Sequence, residues 1–265
     1  MKILTGTSGW SYERWKDVFY PAWIKSEKYL EYYSSLYKTV EIDSTFYNIP
    51  DEKTITKWRD STPSGFLFCP KMFQRITHEM KLIGSEKLVN KFVESMALLK
   101  DKLGIILIQM PPSLKFRDKK VIIEFLNSLP SGFKYAIEFR DISWFSDYIY
   151  SLLEKHNITI AWSDTPFVPR NYKLTDRNVY LRLIGDRSIN ESEFGKISVN
   201  KEKSIEGWAS KLKEMEGEFD HAFVFANNHY QGFAPGTINL LRSQTGMEEI
   251  KFPVPDVDKG QKTLF

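Results

Sequence analysis

Residues 104–109 read GIILIQ, a continuous apolar run that ends in the polar residue Gln109. Runs of this kind, alternating with helical patterns, are typical of strands in a parallel sheet whose two faces are both covered. Seven further runs have the same form, with a polar residue at or beside the C-terminal end. The eight runs are residues 3–7, 39–42, 66–70, 104–108, 134–137, 158–162, 179–183 and 222–226.

Eight such units in one chain predict an α/β fold, a single (β/α)₈ TIM barrel with functional residues at the C-terminal ends of its strands. We expect residues 1–252 to form this one domain and residues 253–265 to form an extended C-terminal tail. The segment 165–177 contains Thr165-Pro166 and Val168-Pro169 but no helical pattern. This predicts that a loop replaces one helix there.

The composition excludes several classes of protein. No stretch is apolar for long enough to span a membrane, and residues 1–10 lack the apolar core of a signal peptide. We therefore expect a cytoplasmic protein without a membrane partner. The one cysteine, Cys69, excludes an intrachain disulfide. A net charge of +3 permits an anionic ligand but is low for an obligate nucleic-acid binder.

Three carboxylates, Glu41, Glu138 and Asp164, stand at the ends of different predicted strands. Because these ends meet on one face of a barrel, the side chains can converge, act as general acid and base, or hold a divalent metal ion. The loop after the third strand adds His78, which can transfer a proton near neutral pH. The alternative is that each carboxylate pairs with a cation and only closes the end of the barrel. The sequence identifies no other cofactor.

Three cations, Lys71, Arg140 and Arg182, stand at the ends of the third, fifth and seventh runs. Guanidinium groups bind phosphate and carboxylate through paired N–H donors, so these cations predict an anionic, phosphate-bearing substrate. We expect them to share one connected cavity with the three carboxylates. Neutralisation of those carboxylates would explain the cations equally well.

Further side chains in the loops after the strands are candidates for contact with the substrate. Amides and imidazoles supply neutral hydrogen bonds, and aromatic rings can stack on a base or sugar. Rings more commonly pack a loop onto a barrel, which is the alternative for each of them. The candidates are Gln109, Asn227, Asn228, Tyr12, Tyr47, Trp144 and His229.

Motifs along nearly the whole chain are similar to those of one protein family. They include GTSGWSY at 6–12, VEIDSTFY at 40–47, QMPP at 109–112 and EFR at 138–140. With Lys71, Asp164, Arg182 and Asn227-Asn228, these motifs resemble the DUF72 (YecE-like) family. The resemblance implies a TIM barrel but no defined activity, because the family is one of unknown function.

Such barrels are similar to endonuclease IV-like repair enzymes, which implies a link to DNA repair. The histidine-rich metal cluster of those enzymes is not matched in this chain. Many members of the DUF72 family have a histidine after the strand that ends at Arg182, where this chain has Ile184-Gly185.

We therefore predict an enzyme that uses acid–base chemistry, metal-assisted or not, on an anionic, phosphate-bearing substrate. Glu138 and Glu41 are the predicted acid and base, and Asp164 supports them or binds a metal. Hydrolases of the phosphodiesterase type and lyases or isomerases both fit. The alternative is a non-catalytic protein that binds nucleic acid or a nucleotide and is linked to DNA repair, with strongly salt-dependent binding.

Residues 261–265, QKTLF, resemble the start of the short peptide by which repair and replication proteins bind the sliding clamp. In that peptide an aliphatic residue follows a glutamine after three positions, as Leu264 follows Gln261, and an aromatic pair comes next. Here Phe265 supplies only one aromatic residue. The sliding clamp is therefore a candidate partner, and a disordered terminus is the alternative.

Overall fold

The structure, a computed structural model, describes residues 2–253. Every predicted apolar run forms a strand, with bounds that differ by at most two residues from the prediction. The strands are β1 Lys2–Thr7, β2 Thr39–Ile42, β3 Leu67–Pro70, β4 Ile105–Gln109, β5 Lys134–Glu138, β6 Thr159–Asp164, β7 Asn178–Leu183 and β8 His221–Ala226. All the pairings between them are parallel.

The strands form two sheets. Six lie in one curled, half-barrel sheet in the order β1-β8-β7-β6-β5-β4, and β2 pairs with β3 in a second sheet. Isolated bridges join the two sheets, Ser8 to Glu41 on one side and Lys71 to Leu107 on the other. The fold is therefore α/β with the predicted strands. In the described part of the chain, however, the hydrogen-bonded ladder of a full eight-stranded barrel is interrupted beside the short strands β2 and β3.

Successive residues of a strand face opposite sides, and the two faces bury different residues. The inner faces of seven strands enclose one small apolar cluster: Leu4, Cys69, Ile105, Leu107, Ala136, Ala161, Tyr180, Phe223 and Phe225. The outer faces pack against the helices in a larger cluster. These seven strands carry apolar residues on both faces, which explains why their sequences do not alternate. The inner face of β2 carries Thr39 and Glu41 instead.

Helices follow most of the strands. They are α1 Tyr29–Leu36, α2 Ser44–Tyr47, α3 Glu52–Asp60, α4 Glu86–Ala97, α5 Lys119–Ser128, α6 Asp147–Lys155, α7 Glu202–Glu214, α8 Asn228–Gln231 and α9 Ala234–Thr245. A single π-helical turn, Arg75–Glu79, follows β3. Residues 165–177 form a loop without a helix, as predicted. None of the helices within residues 2–253 combines the length and apolar character that a membrane crossing requires.

The predicted C-terminal tail lies outside the described residues, apart from Pro253. The proposed clamp-binding positions Gln261, Leu264 and Phe265 are among the residues left undescribed. Just before the tail, Phe252 packs against Phe19 with ring centres 5.7 Å apart, so the chain is packed up to this point.

The close approach of β1 to β2 depends on Gly6. A Cβ atom on Gly6 would overlap the carbonyl oxygen of Thr39 in β2. Gly6→Ala should therefore separate the two strands and lower the free energy of unfolding by about 1–3 kcal/mol, measured by urea denaturation.

The control is Gly207→Ala in α7, where the new methyl group meets only the end of the Arg170 side chain. Alanine favours a helix by about 1 kcal/mol, so this variant should be as stable as the parent or slightly more stable. Equal stability of the two variants would contradict the close approach.

Candidate functional site

Arg182, on the inner face of β7, is the centre of a buried ion network. Its Nε and Nη2 donate to the two carboxylate oxygens of Glu41 at 2.8 and 2.7 Å, and its Nη1 donates to Glu138 Oε2 at 2.6 Å. Arg182 is 3% exposed, and both glutamates are fully buried. The two carboxylates are buried away from water, where their negative charges would repel each other. One guanidinium group bridges them and offsets this repulsion.

Neutral donors complete the surroundings of the two glutamates. Because they come from other strands, they tie the inner faces of the strands together. They are Ser8 Oγ at 2.7 Å and Tyr180 OH at 2.9 Å from Glu41, and Gln109 Nε2 at 2.5 Å and Ser163 Oγ at 3.0 Å from Glu138. We call these seven residues the Arg182 network.

Glu138 and Arg182 hold each other in the charged state. Burial alone would raise the pKa of Glu138, but Arg140 and Arg182 outweigh burial and hold it well below its usual range. Burial would lower the pKa of Arg182, yet Glu138 and Glu41 keep it well above its usual range. Glu138 therefore stays ionised at neutral pH, which does not suit the role of general acid predicted for it.

Lys71 and Asp43 lie at the edge of the network. Lys71 Nζ is 3.6 Å from Asp43 Oδ1, and Arg182 Nη2 is 3.9 Å from the same oxygen. The ammonium group also lies 4.0 Å from the centre of the Phe46 ring. Burial lowers the pKa of Lys71, and Asp43 opposes that shift. Together with Arg140, the site holds three cations close to three carboxylates, so its charge is balanced.

A cavity of about 420 Å³ opens at the C-terminal ends of the strands. We call it the strand-end cavity. Gln109 and Arg140 connect it to the Arg182 network, because both line it and both contact Glu138. The lining residues are Phe46, Tyr47, Gln74, His78, Gln109, Arg140, Phe167, Ile184, Gly185, Asp186 and Arg187.

Two arginines of this lining have unused donors. Arg140 contacts Glu138 only through Nη2, at 3.3 Å, and its buried Nε has no hydrogen-bond partner among the described residues. Arg187 makes no ion pair or hydrogen bond with any residue in 2–253, and its backbone is in the left-handed region at a φ of 64°. Asp186, which precedes it, is bound to Ser188 Oγ at 2.6 Å. Both guanidinium groups can therefore bind an anion.

His78 reaches the cavity from the π-helical turn. Its Nδ1 lies 2.8 Å from Thr77 Oγ1, and its ring meets Phe46 edge-on with centres 5.0 Å apart. Burial, Lys71 and Arg140 together lower its pKa to about 4. The imidazole is therefore neutral at pH 7 and able to accept a proton.

Asp164 lies apart from the other predicted catalytic residues. Of the six charged residues expected to share one cavity, only Arg140 lines the strand-end cavity, while Glu41, Lys71, Glu138 and Arg182 are buried. In β6, Ala161 and Ser163 face inward, which places Asp164 on the outer face. Burial would raise its pKa, but hydrogen bonds outweigh burial and lower it. Its Oδ2 accepts bonds from Ser204 Oγ at 2.5 Å, Trp208 Nε1 at 2.7 Å, Tyr230 OH at 2.7 Å and Arg170 Nη2 at 3.1 Å.

Seven of the ten predicted binding residues do not line the strand-end cavity. Two of them, Lys71 and Arg182, are buried among the charged residues described above, and the other five lie elsewhere. Trp144 is fully buried and donates to the Leu114 carbonyl, and Tyr12 donates to the Ser8 carbonyl beside a smaller cavity of about 190 Å³. The other three hold the chain after β8: Asn227 accepts from His229 N, Asn228 accepts from Trp15 Nε1, and His229 Nδ1 contacts the Ile189 carbonyl. Tyr47 and Gln109 do line the strand-end cavity, as predicted.

The prediction missed residues of two kinds. Tyr180 and Ser163 belong to the Arg182 network, and Tyr180 could have been found because it precedes Arg182 by two positions and so shares its face. Gln74, Phe167 and Arg187 line the cavity from loops, where no periodic pattern marks the direction of a side chain.

No three His, Cys, Asp or Glu side chains in residues 2–253 come together as a metal-binding group. Arg182 already bonds both oxygens of Glu41 and Oε2 of Glu138, and Ser163 bonds Oε1 of Glu138. A metal held by these two carboxylates would have to replace Arg182.

Removal of Arg182 tests the network. Arg182→Met should lower the free energy of unfolding by about 3–5 kcal/mol at pH 7, because two buried carboxylates lose their counter-ion. Without the cation, the pKa of Glu138 in the folded state should rise, so protonation of Glu138 should make the loss smaller toward pH 4. Urea denaturation at both pH values measures the effect.

Two further variants control this experiment. Glu41→Gln added to Arg182→Met removes one unpaired charge and should restore part of the lost stability. Arg177→Met breaks an exposed ion pair with Asp220 and should cost less than about 1 kcal/mol. A loss at Arg182 as small as the loss at Arg177 would contradict the role of the network.

Comparison with known proteins places the chain in a family. Residues 4–261 match the family described as "Protein of unknown function DUF72". The UPF0759 protein YunF of Bacillus subtilis (strain 168) is 28% identical over 258 residues, which cover 88% of this chain and 90% of YunF. The UPF0759 protein YecE of Escherichia coli (strain K12) is 29% identical over 144 residues, which cover 54% of this chain and 50% of YecE. A solved DUF72 family protein from Thermotoga maritima MSB8 superposes with a TM-score of 0.79 at 26% identity, over 93% of this chain and 100% of that chain. Because the family match extends over nearly the whole sequence, this protein belongs to the DUF72 family.

Proposed function

We propose that this protein is an enzyme that binds a small anionic, phosphate-bearing molecule in the strand-end cavity. His78 accepts a proton during the reaction of that molecule. The observation that carries the proposal is the pair of arginines in the cavity, Arg140 and Arg187, whose donors the described residues leave largely unused. Charge-assisted donors of this kind bind phosphate strongly when water is partly excluded. The amides of Gln74 and Gln109 can add neutral hydrogen bonds.

The proposed roles of the carboxylates differ from those predicted from the sequence. Glu41 and Glu138 already accept hydrogen bonds from Arg182 and four neutral donors, so they act in the proposal as fixed charges that hold Arg182 and Arg140 in place. His78 takes the role of general base, because it lines the cavity and is neutral at pH 7. Lys71, which is paired with Asp43, packs on the Phe46 ring and helps to keep His78 neutral by lowering its pKa.

The proposal includes one closed eight-stranded barrel as the scaffold of the cavity. Its support is the pair of junctions between the sheets, where Gly9 N donates to the Glu41 carbonyl and Met72 N donates to the Leu107 carbonyl, both at 2.8 Å. The inner apolar cluster also includes Cys69 of β3 beside residues of the six-stranded sheet. In a closed barrel, all eight strand ends surround one cavity.

The titration of His78 is the first test. In the free protein its pKa should be about 4, and a phosphate bound nearby should raise that value, because negative charge favours the protonated ring. NMR titration of the four histidines, with His78→Gln to assign the signal, measures both values. A pKa for His78 that phosphate leaves unchanged would contradict binding of the anion beside this ring.

The depressed pKa also predicts a pH dependence of stability. Below the ordinary pKa of about 6.5, the unfolded chain takes up a proton at His78 that the folded protein does not take up until about pH 4. The stability contributed by neutral His78 should therefore be present above pH 6.5 and decrease as the pH falls to 4. His78→Gln should weaken this dependence in urea denaturation.

Anion binding and turnover are tested with separate variants. Arg140→Gln should weaken binding of inorganic phosphate, measured by calorimetry, at least about tenfold, because a charge-assisted pair is lost. Arg117→Gln, which removes an exposed arginine outside the cavity, is the matched control and should bind phosphate like the parent. Unchanged affinity in Arg140→Gln would overturn the proposed site.

A screen of phosphate monoesters and diesters then tests for turnover, with ³¹P NMR to detect conversion of each ester. The parent should convert at least one ester that it binds, and His78→Gln should bind that ester without converting it. Binding without conversion by the parent would favour the alternative, a non-catalytic binder of nucleotides or other phosphates.

A further inference from the structure

Two aromatic rings in the strand-end cavity are exposed to solvent. Tyr47 is 63% exposed and Phe167 is 61% exposed, and both line the cavity. A third ring, Phe46, lines it as well but is buried against Lys71 and His78. Large rings usually bury most of their surface, so two exposed rings at one cavity leave apolar area for a ligand to cover.

The two rings reach the cavity from different sides. Tyr47 ends α2, which follows β2, and Phe167 lies in the loop after β6. In the sheet order, and across the bridge from Ser8 to Glu41, β2 and β6 are four strands apart. Both rings border the same cavity, so both offer apolar surface to a flat group bound there.

Both segments are held in place by the fold. The loop of Phe167 is fixed where Arg170 donates to Asp164 Oδ2 at 3.1 Å and where Trp162 Nε1 donates to the Lys173 carbonyl at 2.9 Å. The helix that ends at Tyr47 is fixed by Thr45 Oγ1, whose single proton is shared between the carbonyls of Ile42 and Lys71 at 2.8 and 2.7 Å. The rings are therefore presented by ordered segments, which reduces the entropy that binding would cost.

We infer that the ligand of this cavity carries a flat aromatic or heterocyclic ring beside its anionic group. Tyr47 and Phe167 cover the ring, while Arg140 and Arg187 bind the anion. The inference rests on the proposed function and narrows its substrate class from any small phosphate to a ring-bearing phosphate ester.

The experiment compares three probes by calorimetry: inorganic phosphate, methyl phosphate and phenyl phosphate. Phenyl phosphate should bind about tenfold more tightly than methyl phosphate, because stacking on aromatic side chains adds favourable contacts. Phe167→Leu and Tyr47→Leu should each remove most of that preference, and Phe167→Trp should keep it. Tyr148→Leu, which alters an exposed ring outside the cavity lining, is the matched control and should keep the full preference.

The outcomes separate this inference from the proposed function. If phosphate binds through Arg140 but the parent shows no preference for phenyl over methyl phosphate, the ring contact is wrong and the anion site stands. A preference that survives both leucine variants also overturns the ring contact. If phosphate does not bind, or binds independently of Arg140, the proposed site fails and the inference fails with it. Because Tyr47 and Phe167 are exposed, their leucine variants should remain folded, so a lost preference for phenyl phosphate reports on the ring contact. Urea denaturation verifies that the variants are folded.

Discussion

The bidentate ion pair between Arg182 and Glu41, extended by the bond from Arg182 to Glu138, is the interaction on which the rest of the site depends. It joins the inner faces of β2, β5 and β7, and through Ser8 it also reaches β1. Apolar residues of similar volume in place of such a buried group would often leave a protein equally or more stable, whereas loss of a single partner is costly. Stability alone therefore does not account for the network. Its effect is to hold ionised groups in fixed positions beneath a cavity, an arrangement that favours electrostatic stabilisation of a bound charge.

The balance of charge below the cavity determines what the cavity can bind. The carboxylates of the network accept bonds from within the fold, and the contact of Arg140 with Glu138 uses only one of its terminal nitrogens. The lining then offers donors from Arg140 and Arg187, with Asp186 turned to Ser188. An anion meets unused donors there, while a cation would find the carboxylate oxygens already bonded. The low pKa of His78 has the same origin, since burial and nearby positive charge both favour the neutral ring.

The sequence predicted the strands and the inner charges well because both follow from simple periodicity. Apolar runs marked all eight strands, and the charged residues at their ends include Glu41, Glu138 and Arg182. The face of Asp164 was not predictable from the run 158–162, in which every position is buried and no alternation is visible. Loop residues such as Arg187 carry no periodic signal and required the structure.

Asp164 shows how residues outside the cavity can still shape it. Its carbonyl oxygen accepts hydrogen bonds from Ile184 N and Gly185 N, both at 3.2 Å, which fixes the segment that leads to Arg187. Its carboxylate holds Arg170, in the loop that carries Phe167. The same residue therefore positions the arginine on one wall and the aromatic ring on another. On β6 the inward side chain, Ser163, supports the fixed charge of Glu138, and the outward side chain of Asp164 supports the loops. Successive residues of a strand face opposite sides of the sheet. Two neighbouring residues of β6 can therefore act separately, one on the buried charges inside and the other on the loops outside.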